Sequence, residues 1–258
     1  MKKIFFTLLL FLFSRIVLAG SSCSDIPGKQ NHAPLKIKDG IVCFMEQPLL
    51  DENGEQFADA ISVYFIPHKL KPIKADGRGF LYDYDAGKIV DVFELDIDHD
   101  GKNEVIVIHF SETRTSHAEP NSSGKFYSVY VFNRTDMGLR LNEHATEWFG
   151  SEYSWHSDGN KIVVEYPYLT QRSVRQVVAS PFAALITRDE VIPVVVKQKS
   201  SLYIPGSYTY TYEKTKKYLI VGDKAIVDKY TVGWCRINYS DGKESLQMWM
   251  MCNALEAE

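Results

Sequence analysis

The chain has no H-E-x-x-H or G-x-S-x-G segment, no C-x2-C spacing and no pair of histidines at helical i, i+4 spacing. These absences remove the usual signatures of a zincin, an α/β-hydrolase and a structural zinc ribbon. After the first residues, no run approaches the roughly 20 apolar residues that a membrane-spanning helix needs. Basic residues are too few to dominate: 29 Lys and Arg stand against 33 Asp and Glu, for a net charge of −4. An acidic chain is ill suited to nonspecific nucleic-acid binding, which requires cationic surface to neutralise phosphates. Long amphipathic helical patterns are also missing, and the Asp-rich loop described below occurs a single time, which argues against a repeat propeller.

The start of the chain reads as a cleavable leader. Lys2 and Lys3 precede the apolar run Ile4 to Phe13, and Val17-Leu18-Ala19 supplies a cleavage site after Ala19. The short basic region is of bacterial type, so the expected destination is the periplasm. Lipid anchoring at Cys23 is not expected, because Gly20-Ser21-Ser22 lacks the Leu of such sites. Removal of residues 1 to 19 takes three basic residues and no acid, leaving 26 against 33 and a net charge of −7. Four cysteines in an oxidising compartment read as two disulfides. Three connectivities exist. The local pairs Cys23 with Cys43 and Cys235 with Cys252 are favoured, since each would tie down one end of the chain.

Fifteen Tyr and fourteen Phe, with many β-branched residues, make a strand-rich composition. Strands are predicted over 41–45, 60–66, 79–84, 88–95, 104–110, 126–133 and 161–166. Phe93, Leu95 and Ile97 alternate with polar neighbours, whereas Phe126 to Phe132 is apolar on both faces and reads as buried. Asp51-Glu52-Asn53-Gly54, Asp76-Gly77, Asp100-Gly101 and Asp158-Gly159-Asn160 supply turns. Residues 20–35 read as an irregular arm, and a short helix is predicted from Ser173, interrupted at Pro181. The expected fold is all-β: an antiparallel sandwich-like domain over 20–196, then a second unit over 197–258.

The sharpest local signal is Asp96-Ile97-Asp98-His99-Asp100-Gly101-Lys102-Asn103-Glu104. Asp96, Asp98 and Asp100 fall at alternate positions, so their oxygens can converge on one hard cation. Gly101 gives the turn that returns Glu104 to the ion, and the Lys102 carbonyl is the expected main-chain ligand. Four carboxylates within nine residues repel unless neutralised, and Ca²⁺ tolerates such irregular oxygen sets better than Mg²⁺. Strand-like flanks exclude the helix-loop-helix of an EF-hand. The segment resembles the strand-loop-strand calcium loops of FG-GAP repeats, which implies a structural Ca²⁺ site.

Ser122-Ser123-Gly124-Lys125-Phe126-Tyr127 opens a strand with a polar tip beside an aromatic, and Ser123, Gly124 and Tyr127 are candidate partner contacts. Over residues 85–165 the chain resembles the β-sandwich group of periplasmic lysozyme inhibitors and carbapenem intrinsic resistance proteins. In the tail, Tyr218-Leu219-Ile220-Val221-Gly222-Asp223 is followed by Gly233-Trp234-Cys235-Arg236-Ile237-Asn238-Tyr239, Asp241-Gly242 and Trp249-Met250. This resembles bacterial SH3-like domains and implies a small barrel; the last motif departs in lacking its Gly. Tyr208, Tyr210 and Tyr212 alternate as if on one side of a strand and, with Trp234 and Trp249, could line a groove for a peptide or glycan. Together these features predict a non-catalytic cell-envelope binding or inhibitor protein acting on a cell-wall enzyme, a toxin or peptidoglycan. The competing expectation is a peptidoglycan-modifying hydrolase docked through its SH3-like unit, drawing on carboxylates from distant positions.

Overall fold

The computed structural model describes residues 22–68, 70–76, 79–81, 85–113, 121–188, 190–240, 242 and 245–258. The leader at 1–19 and the residues Gly77, Tyr84 and Asp241, which carried turn and strand expectations, lie outside them. The first sheet contains β1 (Lys29–Ile37), β2 (Gly40–Leu50), β3 (Gln56–Pro67) and β4 (Ile73–Lys74), antiparallel and in that order. The second contains β5 (Lys88–Leu95), β6 (Glu104–Glu112), β7 (Lys125–Thr135) and β8 (Gly138–Leu141). Helix α1 (Glu143–Phe149) follows, then β9 (Ser151–Tyr153), which also pairs with β7. A hairpin of β10 (Trp155–Asp158) and β11 (Lys161–Glu165) leads to α2 (Gln171–Val178) and α3 (Ala184–Thr187). The third sheet is built from β12 (Ile192–Val196), β13 (Ser200–Pro205), β14 (Tyr212–Leu219), β15 (Lys224–Thr231), β16 (Trp234–Ser240), β17 (Ser245–Met251) and β18 (Leu255–Ala257). Its strand order is β14-β13-β17-β16-β15-β12-β18.

Hydrophobic patterning explains the layering. On the first sheet Val42, Phe44, Ile61, Val63 and Phe65 face the second sheet's Val92, Val105, Val107 and Phe132, forming a sandwich core. The opposite face of the second sheet presents Phe93, Ile106, Ile108, Val129 and Val131. They pack in a second core with Phe149, Val174, Ile186 and the third sheet's Val194, Val227, Ile237 and Met250. The middle sheet is therefore buried on both sides, which is why β6 and β7 carry apolar residues at consecutive positions. A third, small cluster of Ile26, Met45 and Ile66 surrounds the Cys23–Cys43 disulfide on the outer face of the first sheet.

The all-β, sandwich-like architecture is the one expected, and several details differ. The tail does not close into a small barrel: its hydrogen-bonded path is an open, seven-stranded antiparallel sheet. The sheet begins before the expected boundary at 197, since β12 pairs with both β15 and β18. The arm predicted over 20–35 is, from residue 22 on, a single turn at Cys23–Asp25 and then a strand, β1, whose register slips once at Asn31 and again across Ala33-Pro34. Pro34 and the polar residues of this edge hid it. Residues 79–81 make an isolated bridge, Ile61 to Phe80, in place of a strand. Helix α2 begins at Gln171 because the Thr170 side chain caps it by accepting from Ser173 N, and the break around Pro181 is present. Helix α1, which the sequence did not announce, is capped by Asn142 accepting from Ala145 N and ends at Gly150 with φ +64°.

Both local disulfides form, Cys23–Cys43 and Cys235–Cys252, spanning 20 and 17 residues. Loops of this size give each a stabilisation of about 3 kcal/mol through the unfolded chain. No helix among the described residues is long and apolar enough to cross a membrane.

The Asn31 side chain helps to join the edges of the first two sheets. Asn31 on β1 donates from Nδ2 to Gly87 O (3.2 Å) and accepts from Ile89 N (3.1 Å), so its amide takes the place of a neighbouring strand for β5. Asn31→Ala leaves both backbone groups without that partner. The expected loss is about 2 kcal/mol, read as a lower urea midpoint with an unchanged slope; an unaltered midpoint would mean that water replaces the amide at no cost.

Candidate functional site

The acidic loop joins β5 to β6 and is pinned at both ends. Ile97 is fully buried in the core shared with the third sheet, and Glu104, the first residue of β6, is only 6% exposed. Between them the backbone folds back on its own carboxylates. Asp96 Oδ1 accepts from Asp100 N (3.1 Å), Asp96 Oδ2 from Gly101 N (2.9 Å) and Asp98 Oδ1 from Asp100 N (3.2 Å). His99 and Gly101 adopt φ of +57° and +84°. A Cβ on Gly101 would meet nothing within 4 Å, so the glycine is required by its dihedral angle and not by crowding.

Three of the predicted ligands converge: Asp96, Asp98 and Glu104 each bring an oxygen within 4.8 Å of the others. Oxygens bound across a Ca²⁺ ion are separated by roughly twice the 2.3–2.6 Å bond length, so this spread suits that cation. Asp100 is engaged instead with Lys102, whose N–H donates to Oδ1 (2.7 Å) and whose Nζ lies 3.8 Å from Oδ2. Glu104 Oε2 accepts from Ile97 N (3.0 Å). Burial pushes its carboxyl up to about 7; the charges of Asp98, Asp100 and Asp96 add to the rise, and the Ile97 N–H opposes it. A hard, all-oxygen donor set with a buried carboxyl made reluctant to ionise fits a divalent cation.

The predicted recognition residues are distributed over two places. Ser123 and Gly124 close the β6–β7 connection. Thr113 N donates to Gly124 O (2.8 Å), Ser123 N to Trp155 O (3.0 Å), and Lys125 N to Ser123 Oγ (3.1 Å). Tyr127 is half-buried and stacks on Phe110 at 5.4 Å, so it braces the strand. A tail residue reaches the same neighbourhood: Tyr208 stacks on His156 at 6.2 Å, and His156 bridges to Ser122.

On the third sheet, the expected alternation of Tyr208, Tyr210 and Tyr212 along one strand is not found. The first two lie in the β13–β14 loop, Tyr210 at φ +62°, and the strand begins at Tyr212. Tyr210 turns away from the groove; its hydroxyl donates to Phe149 O (3.4 Å), and burial pushes the phenol up to about 12. Trp249 is also not a surface residue, being 8% exposed beneath Tyr212 at 5.0 Å. Trp234 does reach the surface, half-buried, stacked on Tyr212 at 4.3 Å and edge-on to Tyr203 at 4.8 Å. Arg236, paired with Trp249 across the strands, continues this face. Its guanidinium donates to both Asp228 oxygens (2.8 and 3.1 Å), and Gln247 Nε2 donates to Asp228 (3.1 Å) and Asn238 (3.0 Å). Asp228 and Arg236 also border a polar cleft of about 580 Å³ against Trp148 and Glu147 of α1. Asp228 and Arg236 were missed by sequence reading; the available signal was β16 itself, whose Trp234, Arg236 and Asn238 alternate with the inward Cys235, Ile237 and Tyr239.

Comparison with family models, curated proteins and solved structures finds no match to this chain.

The acid loop generates a pH-dependent expectation. Without cation, Glu104 has a folded pKa of about 7, above its ordinary 4.5. Its contribution to stability is thus present below pH 4.5 and lost as pH rises through 7. A bound cation demands the ionised form and reverses this trend. Millimolar Ca²⁺, at about a hundredfold excess over Kd, should raise Tm by about 5–10 °C over EGTA at pH 8 and by much less at pH 5. Asp98→Ala should abolish the gain. Equal melting in Ca²⁺ and EGTA at pH 8 would remove the site.

Proposed function

We propose that this chain is an exported, non-catalytic binding protein of the cell envelope, of inhibitor or immunity type. It engages a cell-wall enzyme, a toxin or peptidoglycan through the outer face of its third sheet. Ca²⁺ at Asp96, Asp98 and Glu104 serves the fold and not the partner. The observation that carries the proposal is the pairing of half-exposed aromatic rings, Tyr203, Tyr212 and Trp234, with the hydrogen-bonded row Arg236, Asp228, Gln247 and Asn238. Flat apolar faces beside fixed donors and acceptors suit a ligand that itself has both, as a glycan or an aromatic-bearing protein surface does. The two disulfides support the exported setting, since such bonds persist in oxidising compartments.

Incubation with purified peptidoglycan, and separately with lysozyme-type wall hydrolases, tests the reading. Retention on the wall or inhibition of a hydrolase is expected, with no soluble fragments released by the protein alone. Trp234→Ala should weaken retention or inhibition by roughly tenfold while leaving Tm within a few degrees. Fragment release that requires the chain would replace this reading with the hydrolase one.

A further inference from the structure

From Lys197 to Lys224 the chain carries six lysines and two acids, a local charge of +4 in a protein whose total is −4. Folding gathers several of these charges at one end of the third sheet. Ser200 pairs with Leu219 and Ser201 with Tyr218, which sets Lys199 Nζ over the Tyr218 ring at 4.1 Å. Gly222 N donates to Val196 O and Val196 N to Asp223 O, both at 2.9 Å, so the 220–223 turn lies against Val196-Lys197. Lys197, Lys199, Lys216 and Lys224 are exposed around this end.

The turn itself has an unusual composition. Its tip is Ile220-Val221-Gly222, where polar turn formers are the norm. Ile220 is 50% and Val221 66% exposed, and Tyr218 beside them is 53% exposed. The loop is fixed, because Asp223 Oδ2 accepts from Ile220 N (2.8 Å). Asp223 thereby directs its charge into the turn. Lys224 shares its charge with Glu258 (2.7 Å). The result is a rigid apolar tip on a cationic end of an otherwise acidic molecule. A cationic rim around exposed aliphatic and aromatic side chains is the arrangement that binds membrane interfaces, where lysines meet anionic headgroups and apolar groups enter the acyl boundary.

We propose that the Tyr218–Lys224 end of the third sheet docks the protein peripherally on an anionic lipid surface. Ile220 and Val221 enter the headgroup region, and Lys197, Lys199 and Lys216 lie against the headgroups. Docking here is independent of the Tyr212–Trp234 face. The test is co-sedimentation of the full mature chain with phosphatidylcholine vesicles, with and without a one-third share of phosphatidylglycerol. Retention on the anionic vesicles alone is expected, declining as salt is raised. Each lysine near an anionic leaflet multiplies partitioning by about fivefold, so a Lys199→Gln, Lys216→Gln double variant should lose roughly 25-fold. Ile220→Ser with Val221→Ser should lose roughly tenfold or more, with an unchanged melting curve, since neither side chain supports the core. Trp234→Ala should bind vesicles normally, which separates failure here from failure of the partner-binding proposal. Equal binding to neutral and anionic vesicles overturns the proposal. So does anionic binding that is indifferent to the Ile220 and Val221 changes, or that is matched by soluble heparin, since either result would reduce the patch to a general polyanion site.

Discussion

Everything else in the molecule is arranged around the burial of β6 on both of its faces. Val105 and Val107 point into the sandwich core, Ile106 and Ile108 into the core shared with the helices and the third sheet, and all four are completely buried. Each such side chain is worth about 1.5–3 kcal/mol, against a net stability of about 5–15 kcal/mol for a whole domain. Polar residues are confined to the ends of the strand, Glu104 at one and His109 and Ser111 at the other. His109 illustrates the terms on which they are admitted: its Nε2 is held by Ala86 O at 2.7 Å, and burial lowers its pKa so that the ring stays neutral. The backbone of β6 is paired on both edges, by β5 and by β7, so the strand leaves no open ladder of its own.

The acidic loop gains its meaning from that strand. Ile97 reaches into one core while the first residue of β6 supplies the buried carboxylate. Repulsion among the loop carboxylates therefore acts directly on the entrance to the central strand, as would its relief by a cation. The outer face of the third sheet differs from this loop in being presented on paired strands, with Trp234, Arg236 and Asn238 partly exposed.

The parts legible in the sequence are those whose information is local. The Asp96-to-Glu104 spacing puts ligands within nine residues, so a turn suffices to assemble them. Each of the two disulfides joins cysteines within one end of the chain. The both-face apolar run of β7 announced a buried strand because it is short and rich in aromatic and β-branched residues. Where distant strands decide the outcome, the local pattern misleads. Tyr208, Tyr210 and Tyr212 have strand periodicity, yet Tyr210 sits at positive φ because the β13–β14 loop closes there, with Gly206 N bonded to Thr211 O. Trp249 looks like a groove residue until Tyr212, brought over from β14, covers it. The expected boundary at 197 ignored that β12 has partners on both sides, one of them the last strand of the chain. The aromatic and polar face depends on register between β13, β14, β16 and β17, which no single segment encodes.

The shared core also sets an order in time. Strands β1 to β8 suffice to lay the first sheet on the second, but the other face of the second sheet then still lacks its cover. The helices cover it in part with Phe149, Val174 and Ile186, and residues 192–255, the final quarter of the chain, complete the core with Val194, Val227, Ile237 and Leu255. Until then Ile106, Ile108, Val129 and Val131 form a continuous apolar surface on a half-finished protein. Such a surface is the kind that holding chaperones bind and that associates with its own copies. The tail is thus the piece that completes this core and ends the chain's vulnerability during folding.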